Sequence, residues 1–160
     1  MLFFDALADM IDGCEFRADV NYGLKRGGGR EVLLSIIVLT YNRKHLLRGC
    51  LDSLFSQTLP RENLEIIVVD DGSTDGTEGM MKDISLSHPG LKYCRQTHRG
   101  IPAARNTGIV NASGDIIAIV ADDYLLAPDY AETIIKFFQE NPGAMVVRRS
   151  LQPKMISLAG

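Results

Sequence analysis

In two places an apolar run drives straight into a pair of adjacent carboxylates: IIVVDDGSTDGT (residues 66–77) and IIAIVADDY (residues 116–124). Neighbouring carboxylates repel one another and resist burial, so each pair needs a cation, a donor-rich ligand or a helix N-terminus to face. Asp122 and Asp123 are hard oxygen donors suited to Mg2+ or Mn2+, which can bridge onward to phosphate oxygens. A metal placed there neutralises the charge that develops on a departing nucleoside diphosphate. Asp70 and Asp71, acceptors only when ionised, suit the N–H and O–H donors of a base or a ribose. A third apolar run gives way to Thr40, Tyr41, Asn42 and Arg43, and Tyr41 offers a ring face on which a base can stack. Arg95, Arg99 and Arg105 supply positive charge to balance phosphate.

The other common ways of holding a phosphate are absent. No GxGxxG follows an apolar run, there is no GxxxxGK[ST], and the glycine triplet at 27–29 comes before the first such run. A calcium loop counted from Asp71 would need a glutamate at its twelfth position, where Lys82 would repel the ion.

The elements that carry these residues follow from hydrophobic periodicity. Residues 32–39 (VLLSIIVL) form a β-branched, nearly continuous apolar run, the pattern of a strand buried on both faces. Between 44 and 57, Leu46, Leu47, Cys50, Leu51, Leu54 and Phe55 mark one face of an amphipathic helix. Strands are predicted at 64–69, 91–95 and 116–120, with a fifth at 144–147 (AMVV). Helices are predicted at 78–88, stopped by Pro89-Gly90, at 102–111 with Pro102 in the first turn, and at 128–140. Strand and helix alternate, which predicts an open, mostly parallel α/β sheet with helices on both faces. In such sheets ligands bind outside the carboxyl ends of the strands. Parallel strands would bring all three polar tips to one edge.

Length and composition set the outer bounds. At 160 residues, the chain is one domain by size. Residues 1–30 read as a leader and linker, and 31–160 as the domain. A net charge of −3 gives no electrostatic case for nucleic acid. Cys14, Cys50 and Cys94 are odd in number and far apart, which points to a reducing compartment rather than a disulfide frame. No stretch approaches the ~18 apolar residues of a membrane-spanning helix.

Taken in order, SIIVLTYNR, EIIVVDDGSTDGT, YCRQTHRGIPAARNTGI and GDIIAIVADDYLLAPDY resemble the inverting family 2 glycosyltransferases with the GT-A fold, over about residues 33–140. The resemblance implies a hexosyltransferase-type enzyme with a nucleotide-diphosphate sugar donor, most often a UDP-sugar, and Mn2+ or Mg2+ as cofactor. It implies donor contacts at Thr40, Tyr41, Asp70, Asp71, Arg95, Arg105 and Asp122. Tyr41 and Asp71 match the base-binding pair, Asp122 and Asp123 match the metal motif, and Asp123 is the direct ligand. It also implies an acceptor that is a glycan, a lipid or a protein, and a cytoplasmic location, in solution or at the cytosolic face of a membrane.

Several positions depart from the family pattern. Ala121 stands where a first acid is common, Leu39-Thr40 where Pro-Thr or Pro-Ala is, and His98 where asparagine is. The family's general base and acceptor-binding segment come well after the metal motif. Asp129, Glu132 and Glu140 lie on a predicted helix away from the site, so no base is identified and the acceptor part is expected to be lacking. Alternatives remain: a non-catalytic nucleotide-binding fragment, or a Mg2+-dependent phosphoryl- or nucleotidyl-transfer protein. Asp70 and Asp71 also suit turn caps, and Arg105 suits an ion pair with their loop.

Overall fold

The computed structural model describes residues 32–141; the expected leader and linker, Cys14 and the expected fifth strand at 144–147 lie outside the described residues. The elements are β1 (Leu34–Thr40), α1 (Lys44–Phe55), a short 3-10 turn (Arg61–Asn63), β2 (Leu64–Asp70), α2 (Thr77–Ser87), β3 (Leu91–Arg95), α3 (Ile101–Asn111), β4 (Ile116–Ala121) and α4 (Tyr130–Glu140). The four strands are all parallel, in the order β3-β2-β1-β4.

Helix α4 begins later than the apolar spacing suggests. The Pro128 carbonyl accepts from the Thr58 backbone N–H and hydroxyl, and the Ala127 carbonyl accepts from the Gln57 side chain. The Pro128 carbonyl is thus tied to the chain just past α1, and the Ala127 carbonyl, which also accepts from the Tyr130 N–H, closes a turn there before the helix begins.

Alternating strand residues build two cores. On one face, Leu34, Ile36 and Val38 of β1 and Val68 of β2 pack with Leu47, Leu51 and Leu54 of α1, Met81 of α2, and Ala131 and Ile135 of α4. On the other, Ile37, Ile67 and Val69 pack with Ala104 of α3. Each fully buried aliphatic side chain stabilises the fold by about 1.5–3 kcal/mol relative to exposure. Helix α3 comes close because Gly108 has no side chain: a Cβ there would lie 2.4 Å from Cγ2 of Ile37.

The handedness of crossover connections explains why α3 sits opposite the other helices. The chain steps from β1 to β2 to β3 in one direction, with α1 and α2 on one face. It then returns across the sheet to β4, and a right-handed connection in the reverse direction places its helix on the other face. The strand order therefore reverses between β1 and β4, which makes their carboxyl ends the topological switch point, the place where open α/β sheets bind ligands.

Candidate functional site

The register aligns the three polar tips. Thr40 pairs with Asp70 across β1 and β2, and Leu39 pairs with Ala121 across β1 and β4. With neighbouring strands about 4.8 Å apart, the β2 and β4 tips stand roughly 10 Å apart with β1 between them. Thr40, Tyr41, Asp70, Asp71, Asp122 and Asp123 thus come to one edge.

At the β4 tip, Asp122 is buried. The Thr40 hydroxyl donates to its Oδ2 at 2.7 Å. Arg43 holds its Oδ1 at 3.0 Å and reaches Asp123 Oδ2 at 2.8 Å, so one guanidinium straddles both acids. Burial still pushes the Asp122 carboxyl upward, beyond what Thr40 and Arg43 pull back, and the neighbouring Asp123 charge adds to the rise. Cys50, whose Sγ lies 3.8 Å from the Ala121 carbonyl, is pushed up to about 12 by burial and by the two acids. It stays a protonated core thiol.

The β2 tip is held differently. Asp70, fully buried, accepts from the Ser73 backbone N–H at 2.8 Å and from the Tyr93 hydroxyl at 2.6 Å. It therefore braces its own turn, as a capping aspartate does. Asp71 accepts from the Gln96 amide at 2.7 Å, the Arg99 N–H at 2.9 Å and the Gly100 N–H at 2.8 Å, with His98 Nδ1 2.8 Å from its Oδ2. Burial would raise the Asp71 carboxyl, but these donors together hold it below the usual carboxylate range. Gly72 lets the two loops meet: its φ is +84°, and a Cβ there would stand 2.9 Å from the His98 backbone nitrogen.

The β1 tip locks onto the same loop. Asn42 adopts a left-handed backbone (φ 53°), which asparagine tolerates better than most residues. Its N–H donates to the Ser73 hydroxyl and its Oδ1 accepts from the Thr74 N–H. Asp75 then accepts from the Lys44 N–H at the start of α1. Tyr41 stacks on His98, with ring centroids 4.1 Å apart and an angle of 19° between the rings.

The arginines separate. Arg95 turns toward the α2 side of the edge, donating to the Ser73 carbonyl at 3.1 Å with Glu78 at 3.6 Å and Asp70 at 3.8 Å. Arg99 and Arg105 are exposed, and neither makes a side-chain ion pair among the described residues. Arg105 therefore does not form the ion pair with the Asp70-Asp71 loop that the sequence also allows. Asp129, Glu132 and Glu140 border a separate groove along α4 with Leu59 and Lys136. Two residues with evident roles at this edge carry no expectation from the sequence. Arg43 is one, although two acids at a buried tip call for a counter-charge on the neighbouring tip. His98 is the other, a polar loop residue without periodic signal.

The donor set suits a divalent cation. Among the described residues no third His, Cys, Asp or Glu completes a closed cage. Mg2+-type sites commonly take one or two carboxylates and draw further oxygens from substrate phosphates. Asp122 supplies a carboxylate whose charge its surroundings under-compensate, and Asp123 is exposed with one oxygen on Arg43.

Residues 35–154 match the profile of Glycosyl transferase family 2. Glycosyltransferase GlyA of Streptococcus pneumoniae is 42% identical over 103 residues, which is 64% of this chain but 14% of GlyA. The mannosyltransferase PcManGT from Pyrobaculum calidifontis, solved with GDP-Man and Mn2+, superposes with a TM-score of 0.65 at 34% identity, over 69% of this chain and 33% of that one. S. aureus TarS 1-349 in complex with UDP gives 0.62 at 30% identity, over 68% and 32%. The chain thus spans a third or less of the length of these relatives, and among the described residues no helix is long and apolar enough to cross a membrane. The sheet order, the acid-bearing strand tips and the matched profile converge: the fold is GT-A, and the chain belongs to glycosyl transferase family 2.

Proposed function

We propose that this chain is the donor-binding part of an inverting hexosyltransferase, taking a UDP-sugar with Mn2+ or Mg2+ held by Asp123 and Asp122. One observation carries the reading: at the β1/β4 switch point, a buried carboxylate stands beside an exposed one, and the protein's own donors leave its charge under-compensated. The nucleotide-sugar and metal ligands of PcManGT, and the UDP of TarS, support the ligand class. A divalent cation at the pair supplies charge neutralisation for the departing diphosphate.

This chain's own residues do the positioning. Thr40 fixes one Asp122 oxygen, and Arg43 holds the other while also reaching Asp123. Arg43 supplies the counter-charge for the pair before donor and cation arrive. Tyr41, more than a third exposed, offers ring surface on the base side, and the exposed Arg95 and Arg105 remain the charges that the sequence offers to a diphosphate. Transfer would follow by attack of an acceptor hydroxyl, on a glycan, lipid or protein, at the anomeric carbon from the face opposite the diphosphate. A carboxylate would take the proton and the configuration would invert. The described residues present no evident base: Asp75 is bound by Lys44 N–H and Thr77, Glu78 by Lys82, and the α4 acids border their own groove. The base is assigned to a part of the protein outside residues 32–141.

The test is thermal. UDP with Mn2+ should raise Tm, neither UDP nor Mn2+ alone should match that rise, and Asp123→Ala should remove it. An undiminished shift in Asp123→Ala sinks the metal assignment. Slow release of free sugar from a UDP-sugar by the wild type, absent in Asp123→Ala, distinguishes a transferase site from a nucleotide-binding remnant.

A further inference from the structure

A cation shared by Asp122 and Asp123 needs one oxygen from each acid, and the guanidinium of Arg43 already spans such a pair of oxygens. Asp122 is buried, and the Thr40 hydroxyl takes its Oδ2 at 2.7 Å. Its remaining oxygen, Oδ1, is held by Arg43 Nη1 at 3.0 Å, while Nη2 holds Oδ2 of Asp123 at 2.8 Å. Among the described residues no other cationic side chain forms an ion pair with either acid. A divalent ion on Asp122 Oδ1 would therefore share its oxygen with a guanidinium, two like charges at a partly buried tip where water screens them poorly.

Only the side chain of Arg43 has to move for the acids to be freed. The Arg43 carbonyl accepts the Leu46 and Leu47 N–H groups at the start of α1, which fixes the backbone. The side chain is 43% exposed and makes no ion pair beyond these two acids among the described residues. Withdrawal of the guanidinium is a change of rotamer on the solvent side, without rearrangement of strand or helix. Charge decides when that change is favourable. The acids carry two negative charges and Arg43 offsets one, so a divalent ion added alone leaves the cluster with an excess of positive charge. A diphosphate arriving with the ion reverses that balance, and its oxygens suit the planar fork of an arginine as carboxylates do.

We propose that Arg43 is an internal stand-in for the divalent ion: it guards Asp122 and Asp123 against metal in the empty site, and turns to the diphosphate when metal and nucleotide bind together. The proposal rests on the donor-site reading above. It makes Arg43 a positioning residue that couples the two ligands, so that each strengthens the binding of the other.

Electron paramagnetic resonance of free Mn2+ gives the affinity of the full chain for Mn2+ alone, and calorimetry gives its affinity for UDP at saturating Mn2+. Arg43→Gln removes the competing charge and should bind Mn2+ alone about tenfold tighter or more. The same variant should bind UDP·Mn2+ about threefold more weakly or worse, because the diphosphate has lost its guanidinium. Arg43→Lys keeps a charge but not a fork that spans two acids, and should bind Mn2+ alone about threefold tighter than wild type. A merely structural Arg43 would weaken both ligands together, and an arginine independent of the cation would leave Mn2+ affinity unchanged. Either result in both variants overturns the proposal, and so does UDP·Mn2+ binding that tightens as much as Mn2+ binding. Asp123→Ala is the reference for the site itself. If the wild type binds UDP·Mn2+ no more tightly than Asp123→Ala does, the donor-site reading fails and this proposal falls with it. If Asp123→Ala loses UDP·Mn2+ but neither Arg43 variant tightens Mn2+, the donor site stands and this proposal alone falls.

Discussion

Replacing Thr40 by valine isolates one bond at the β1/β4 tip. The Thr40 hydroxyl donates at 2.7 Å to Asp122, and both residues are nearly inaccessible, at 4% and 1% exposure. Valine has almost the same shape but sets a methyl group against a buried charged oxygen. A hydrogen bond to a charged group contributes about 1.5–3 kcal/mol, and more is lost when the partner stays buried and unpaired. With a urea m-value of about 2 kcal/mol/M for a domain of this size, the unfolding midpoint should fall by roughly 0.7–1.5 M. Thr40→Ser provides the control: it keeps the hydroxyl and loses a methyl, at a cost of about 0.5–1.5 kcal/mol. The pH dependence separates the two causes. Burial raises the Asp122 carboxyl above its unfolded value, and the valine variant raises it further by removing a donor to the charged form. The Val deficit is therefore full where Asp122 is charged in both proteins, and shrinks as pH falls and both carboxyls become protonated. The Ser deficit should be independent of pH. Urea unfolding followed by far-UV circular dichroism, in steps from pH 8 down through the carboxylate range to about pH 3.5, measures both. A valine variant as stable as wild type at pH 8, or a deficit that does not move with pH, would refute the assignment of this bond.

Two further stability tests follow from the packing and the opposite end of the sheet. Gly108→Ala places a Cβ 2.4 Å from Ile37 Cγ2 and 3.3 Å from Val69, whereas Gly79→Ala in α2 meets nothing within 4 Å. The same substitution should therefore destabilise by about 1–2 kcal/mol at 108, where overpacking outweighs helix propensity, and stabilise by up to about 1 kcal/mol at 79; urea midpoints shifting in opposite directions are the check. Burial would raise the Glu65 carboxyl, but Lys92, the Ser113 N–H, the Ser35 hydroxyl and the Ser113 hydroxyl hold it at about 2. A depressed carboxylate stabilises above its unfolded pKa and loses that contribution as pH falls through the folded one. The advantage of wild type over Glu65→Gln should be full at pH 7 and should fade between about 4.5 and 2, as read from unfolding at pH 7, 4.5 and 3.

Much of the frame was legible because apolar periodicity is a local property. The β-branched runs of β1 and β2 and the Leu46-to-Phe55 face of α1 state their own burial, and their alternation implies parallel strands. Parallel strands then bring Thr40, Asp70 and Asp122 to one edge without further information. What the pattern does not encode is which donor reaches which acid. Tyr93 on Asp70, Arg43 on Asp122 and His98 on Asp71 join residues 23, 79 and 27 positions apart, and these pairings depend on strand register and loop geometry. The start of α4 differs from the local pattern for a related reason: Pro128 suits a first helical turn, but its carbonyl is taken by Thr58, which is 70 residues away.

The two ends of the sheet show why acid pairs alone do not mark a site. At the amino ends of the strands, Glu65 is surrounded by Ser35, Lys92 and Ser113, and its carboxyl is driven down. At the carboxyl ends, Asp71 is similarly satisfied and also lies below the usual range. Asp122 shares that edge and that degree of burial, yet its carboxyl is driven up, because one hydroxyl and one half-exposed arginine do not repay its desolvation. A carboxylate that the fold has already satisfied works as scaffold. One that the fold buries and leaves short of positive charge is poised for a partner from solution. By that criterion Asp122, beside the exposed Asp123, is the acid of this edge that the fold leaves short of positive charge, whereas Asp71 is held by its own loop.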